Sequence, residues 1–97
     1  MNRIIISGTI KNDPVVLTPS TGNKLCIFTI INDDHVAAAA QRFDVEVWGD
    51  LVDKYISDIK KGVFVLVYGY LKRNSVITDP KKSSLNIVVK ELQFINK

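Results

Sequence analysis

Gln41-Arg42-Phe43-Asp44-Val45-Glu46-Val47-Trp48-Gly49 is the stretch that decides how this 97-residue chain folds. Its side chains alternate strictly, so Phe43, Val45 and Val47 point one way while Arg42, Asp44, Glu46 and Trp48 point the other. The segment is a strand with one apolar face, and its single tryptophan lies on the wrong side, among charges. A second strand, Val63 to Lys72, repeats the pattern. Val63, Val65, Val67 and Leu71 fill its inner face and leave Phe64, Leu66, Tyr68, Tyr70 and Lys72 outside. Two strands thus share an outward surface rich in aromatic rings. Rings held near water beside basic groups suit stacking on unpaired bases, because every base offers a π-face whatever its sequence.

Working outward, Arg3 to Lys11 alternates as a first strand, with Ile4, Ile6 and Ile10 inward and Arg3, Ile5, Ser7 and Thr9 outward. Gly8 falls among the inward positions, as expected where a sheet must bulge or coil sharply to close. Asn12-Asp13-Pro14 ends that strand, and Thr18 to Asn23 is the turn into a second run, Lys24 to Ile31, the two forming a hairpin. Asn32 to Gln41 breaks the alternation and is expected as a protruding loop, its four alanines too short a run to hold a helix unaided. After Trp48 the period changes. Leu51, Val52, Tyr55, Ile56 and Ile59 recur at helical spacing, Asp50 and Asp53 suit the N-cap and first turn, and Lys60-Lys61-Gly62 supplies an ending. One amphipathic helix of about three turns is expected. Arg73 to Ser84, with Asp79-Pro80 and Ser83-Ser84, is expected as a long hairpin loop before a fifth strand, roughly Leu85 to Ile95. The order β-β-β-α-β-β, with the helix between strands three and four, is that of an all-β, five-stranded Greek-key barrel, the OB-fold.

Composition limits the function classes. Residues 1–97 form one domain, since 46% hydrophobic residues and a net charge of +3 belong to a folded globular chain near the lower size limit for a single core. No leader pattern and no membrane-length apolar run occur, so a cytoplasmic, nucleoid-associated protein with no membrane partner is expected. The single cysteine, Cys26, excludes an internal disulfide and is expected as a small buried hydrophobe. His35, the one histidine, sits in the expected loop beside Asp33 and Asp34 with no nucleophile spacing around it. No catalytic site, metal site or cofactor is therefore expected. The charge is polarised. Leu71 to Lys90 carries five cations against one anion, whereas Arg42 to Lys60 carries five anions against three cations. The first block suits a phosphate track, although lysines in a loop are commonly just solvated.

Several stretches together resemble the bacterial single-stranded DNA-binding proteins (SSB), over Met1 to about Ile95. Asn2 to Ile10 with Asp13-Pro14 is similar to that family's opening strand and turn, Val45 to Gly49 with Leu51 to its third strand, and Lys60 to Leu71 to its helix end and fourth strand. The resemblance implies sequence-tolerant binding of single-stranded DNA in replication, recombination and repair, with Trp48 at a position that stacks on a base. It also implies that Arg42, Val36 and Val76 stand where well-studied members have tryptophans, and that the family's acidic, glycine-rich tail has no counterpart before Lys97. The tailless primosomal protein N (PriB) group, which shares an Asn-Arg and Ser-Gly-Thr opening, is the second resemblance, and a divergent SSB from a phage or mobile element fits both the short length and the lost tryptophans. The expected binding residues are Trp48, Tyr70, Lys72, Arg73, Lys81, Lys82, Arg3, Lys11, Lys24 and Arg42. Asp44 and Glu46 stand on the same face and speak against phosphates passing directly over them, unless they pair with Arg42 or a partner's lysine. Ile5, Phe64, Leu66 and Tyr68 form an apolar outer patch of the kind that association covers, so a homo-oligomer, dimer or tetramer, is expected through it. Replication or restart proteins are further candidate partners. The competing class is a protein-interaction barrel with little intrinsic DNA binding.

Overall fold

The computed structural model describes residues 1–19, 22–32, 40–76 and 79–95, with side chains described for these except 74–84. Six strands and one helix follow in the order β1 (Ile4–Ile10), β2 (Val15–Leu17), β3 (Leu25–Asn32), β4 (Gln41–Trp48), α1 (Asp50–Tyr55), β5 (Phe64–Val76) and β6 (Asp79–Ile95). The sheet runs β1-β5-β6-β4-β3-β2, and an added β1–β3 pairing closes it. Five strands therefore form a closed barrel, an OB-fold, with β2 laid outside on β3 and β4 meeting β6 in parallel.

Closure is local and steric. β1 pairs with β5 from Ile4↔Gly69 to Thr9↔Phe64, and at Thr9↔Ile31 and Ile10↔Ile30 it also pairs with β3. At that crossover Gly8 comes so near β3 that a Cβ would lie 2.7 Å from the Ile31 carbonyl oxygen. The expectation of a coil at Gly8 is met here. A second tight point went unread in the sequence: between Tyr68 and Gly69 the β5–β6 register slips, with Tyr68↔Glu91 followed by Gly69↔Val89, so Lys90 is the extra residue of a bulge. A Cβ on Gly69 would stand 1.9 Å from the Val88 carbonyl oxygen.

The inward faces build one core. Ile10, Phe28, Ile30, Val45, Val47, Val65, Val67 and Ile87 are all at most 1% exposed, and each buried aliphatic or aromatic side chain of this size contributes roughly 1.5–3 kcal/mol. Val52, Tyr55 and Ile59 join the same cluster from α1 and the turn after it, with the Tyr55 and Phe94 rings 6.0 Å apart. Cys26 is fully buried, and desolvation pushes its thiol pKa above the ordinary value.

Four expectations are corrected. The helix has six residues and not three turns, because after Tyr55 the chain turns to insert Ile59 into the core, and Asp50 is its first residue while Gly49 stands at the N-cap. Val15 to Leu17, unassigned from sequence, pairs with β3. The expected loop over 73–84 is largely strand, since β5 and β6 run on past the barrel as a ribbon that keeps Asn74↔Ser84 and Val76↔Asp79 in register. Its ladder needs backbone partners and no core, so alternation in the sequence does not report it. Leu71, expected inside, is 36% exposed where β5 leaves the barrel rim. The Asn32 to Gln41 loop and His35 fall mostly outside the described residues.

Two outcomes follow. Gly69→Ala should lower stability by at least about 2 kcal/mol, or roughly 10 °C in Tm, in thermal denaturation followed by circular dichroism, because the obstacle is backbone and has nowhere to go. The Cys26 thiol should resist alkylation in the native protein at mildly alkaline pH, where an exposed thiol reacts, and react promptly in denaturant; a raised pKa keeps it protonated as pH rises.

Candidate nucleic-acid interface

The outward row of β4 becomes a path across the barrel. From Arg42 to Trp48 six residue rises of about 3.4 Å span about 20 Å, and an open groove lies at each end. At the Trp48 end a depression of about 630 Å³ is lined by Trp48, Leu51, Tyr70, Lys72, Val88, Val89 and Lys90. At the Arg42 end one of about 550 Å³ is lined by Lys11, Asn12, Thr29, Arg42, Asp44 and Leu85. Topology explains how the first forms. The parallel β4–β6 pairing sets Glu46 opposite Val88, the β5–β6 pairing sets Tyr70 opposite Val88, and the bulge turns Lys90 into the same hollow.

Between the two grooves lies a polar cluster. Glu46 points outward as the alternation requires, yet it is only 2% exposed. Its Oε1 accepts the Trp48 indole Nε1–H at 2.9 Å and the Lys72 ammonium at 3.1 Å, and its Oε2 accepts Asn86 Nδ2–H at 2.8 Å. The Lys72 ammonium also stands 5.5 Å from the centroid of the Trp48 ring. Donors on both oxygens make a buried carboxylate tolerable. Asn86 is itself buried, and its Oδ1 has no hydrogen-bond partner. Of the two acids, Glu46 pairs with the chain's own Lys72, and Asp44 Oδ1 accepts the Thr29 hydroxyl at 2.8 Å.

The expected binding residues separate. Trp48, Tyr70 and Lys72 converge on one groove, and Lys11 and Arg42 on the other. Arg73 is exposed just beyond Lys72. Arg3 is exposed beside the same stretch of β5, because Asn2 both donates to the Leu71 carbonyl at 2.8 Å and accepts its N–H at 3.0 Å. Lys24 lies apart, paired with Asp53 of α1 at 2.7 Å on an exposed surface where such pairs contribute little. Lys81 and Lys82 fall on β6, their side chains outside the described set. Sequence reasoning left Lys90, Glu46 and Asn86 out of the site. Lys90 had a signal in the cation block, but its aim depends on a bulge; Glu46 was legible on the face of Trp48, but its burial by other strands is invisible along one strand, and Asn86 had no signal.

The second outer surface is separate. Ile5 is 69% exposed, and with Leu66, Tyr68, Glu91 and Gln93 it lines a shallow depression of about 200 Å³. The register sets Ile5 opposite Tyr68 and Leu66 opposite Gln93, while Phe64 is half-buried at the start of β5 opposite Thr9. Among the described residues no three His, Cys, Asp or Glu side chains are grouped to hold a metal, and no helix is long and apolar enough to cross a membrane.

Comparison with known proteins gives three findings. The profile of the Single-strand binding protein family matches residues 1–95. The chain is 25% identical to the single-stranded DNA-binding protein of Aquifex aeolicus, an alignment covering 100% of this chain and 71% of that protein. It is 29% identical to single-stranded DNA-binding protein 1 of Clostridium acetobutylicum, covering 98% and 94% respectively.

Proposed function

The chain belongs to the Single-strand binding protein family, and from that premise we propose that it binds single-stranded DNA across the outer face of β4, without marked base preference, in replication, recombination or repair. The observation that carries this reading is the half-buried Trp48 ring beside Tyr70 in a groove edged by Lys72 and Lys90. Stacking on such rings contributes roughly 1–3 kcal/mol per base and tolerates any sequence. Lys90, exposed at the groove, supplies the salt-dependent share, with Arg73 and Arg3 at its margin and Lys81 and Lys82 on the ribbon beyond. The strand continues over β4 toward Lys11 and Arg42. Asp44 and Glu46 are compatible with that path because each is already engaged within the barrel.

Self-association belongs to the same reading. An isoleucine 69% exposed beside Leu66 and Tyr68 is apolar surface that a second copy covers, and this patch lies on β1 and β5, away from the β4 path. Assembly leaves the Trp48 groove open to DNA.

Titration of labelled oligo-dT should give salt-sensitive binding with quenching of Trp48 fluorescence. Trp48→Ala should weaken it by roughly 1–3 kcal/mol, about 5- to 150-fold; unchanged affinity in that variant would sink the stacking role. Ile5→Asp should lower the mass measured by sedimentation to that of the monomer while the intrinsic Trp48 contact survives; an unaltered assembly would exclude this patch as the interface.

A further inference from the structure

A carboxylate lying under a DNA path calls for an explanation, since it repels the phosphates that the surrounding cations attract. Glu46 is held at that place by fold geometry. It shares a face with Trp48 two residues on, Lys72 comes from β5 through its register with Asn86, and Asn86 flanks Glu46 through the parallel β4–β6 pairing. Three strands thus deliver three donors to one carboxylate. The indole has a single N–H, so its bond to Oε1 fixes the ring's orientation and consumes its only polar contact. The ammonium of Lys72, 42% exposed by side chain, already has its counter-charge at 3.1 Å.

From this we infer that Glu46 is a positioning residue for strand binding: it locks the Trp48 ring through the indole N–H and acts as the internal counterion of Lys72, so that Lys72 shapes the groove without neutralising a phosphate. The inference rests on the reading of Trp48 as a stacking platform. Its physical content is a division of labour. Salt dependence counts the phosphates whose condensed cations are displaced when a protein cation neutralises them, and a lysine already neutralised by a buried carboxylate displaces none. Lys90, turned into the same groove by the bulge, is a cation of the other kind.

Two measurements test this. The first needs no DNA: solvent exchange of the Trp48 indole proton, followed by NMR, should be slow in the parent protein and in Glu46→Gln, whose amide oxygen still accepts, and fast in Glu46→Ala. Equal exchange in the parent and Glu46→Ala overturns the positioning role. The second titrates oligo-dT across a salt series. Lys72→Met should weaken binding while keeping the slope of log K against log salt, whereas Lys90→Met should flatten that slope by about 0.7, the value of one phosphate contact on a single strand. Glu46→Gln should steepen the slope by about the same 0.7 and tighten binding roughly threefold to tenfold at low salt, and adding Lys72→Met should remove that gain. Should Lys72→Met flatten the parent slope as much as Lys90→Met does, the counterion role is overturned. A parent protein that neither binds nor shows quenching would overturn the strand-binding reading instead, and the indole exchange would still decide whether Glu46 holds Trp48.

Discussion

Barrel closure is the constraint on which the rest of the structure depends. A strand has two edges, and β1 must satisfy β5 along most of one edge and β3 at its end, which forces two backbones together at Gly8. Five strands with inward Val, Ile and Phe side chains then enclose a volume that α1 and Ile59 finish filling. Without closure, β1 and the Ile30–Ile31 end of β3 would leave unpaired edges, and the apolar faces of both would meet water. The second close approach, at Gly69, sits where the β5–β6 register slips and leaves Lys90 as the extra residue.

The same geometry makes the outer face. Because β4 runs parallel to β6, and β6 runs antiparallel to β5, side chains from sequence positions far apart are brought over one another at Val88. A residue that is outward on its own strand is then covered by its neighbours' side chains. Glu46 illustrates the effect: solvent-facing by alternation, it is buried by Trp48, Lys72 and Asn86 together. Its charge remains tolerable because the donors arrive with it, so the polar cluster and the register of three strands depend on each other. A slip in β5 or β6 would both open the groove and strand a carboxylate.

Much of the molecule was legible along the chain. The period-two pattern of residues 41 to 48, the glycine at position 8 and the change of period after Trp48 name the strands, the point of coiling and the position of the helix. Trp48, Tyr70 and Lys72 were legible as neighbours on an outer face, and the structure does bring them to one groove. Ile5, Leu66 and Tyr68 were likewise legible as one patch. Less legible were lengths and ends. The ribbon of β5 and β6 beyond the barrel carries no inward-facing alternation to announce it, and the helix stops early because Ile59 is needed in the core.

By itself, the sequence determined which face of each strand is apolar, and hence the fold class, because side-chain direction in a strand is set by counting. It also determined that a tryptophan stands outside the core. Tertiary structure alone decided which outward residues meet. Lys72 faces Glu46 and not a solvent counterion, Lys90 enters the groove through a bulge, Lys24 is drawn to Asp53, and Asn86 becomes part of a buried polar cluster. The reason is that pairing register between strands distant in sequence is fixed by closure and backbone contact, and no single strand carries that information.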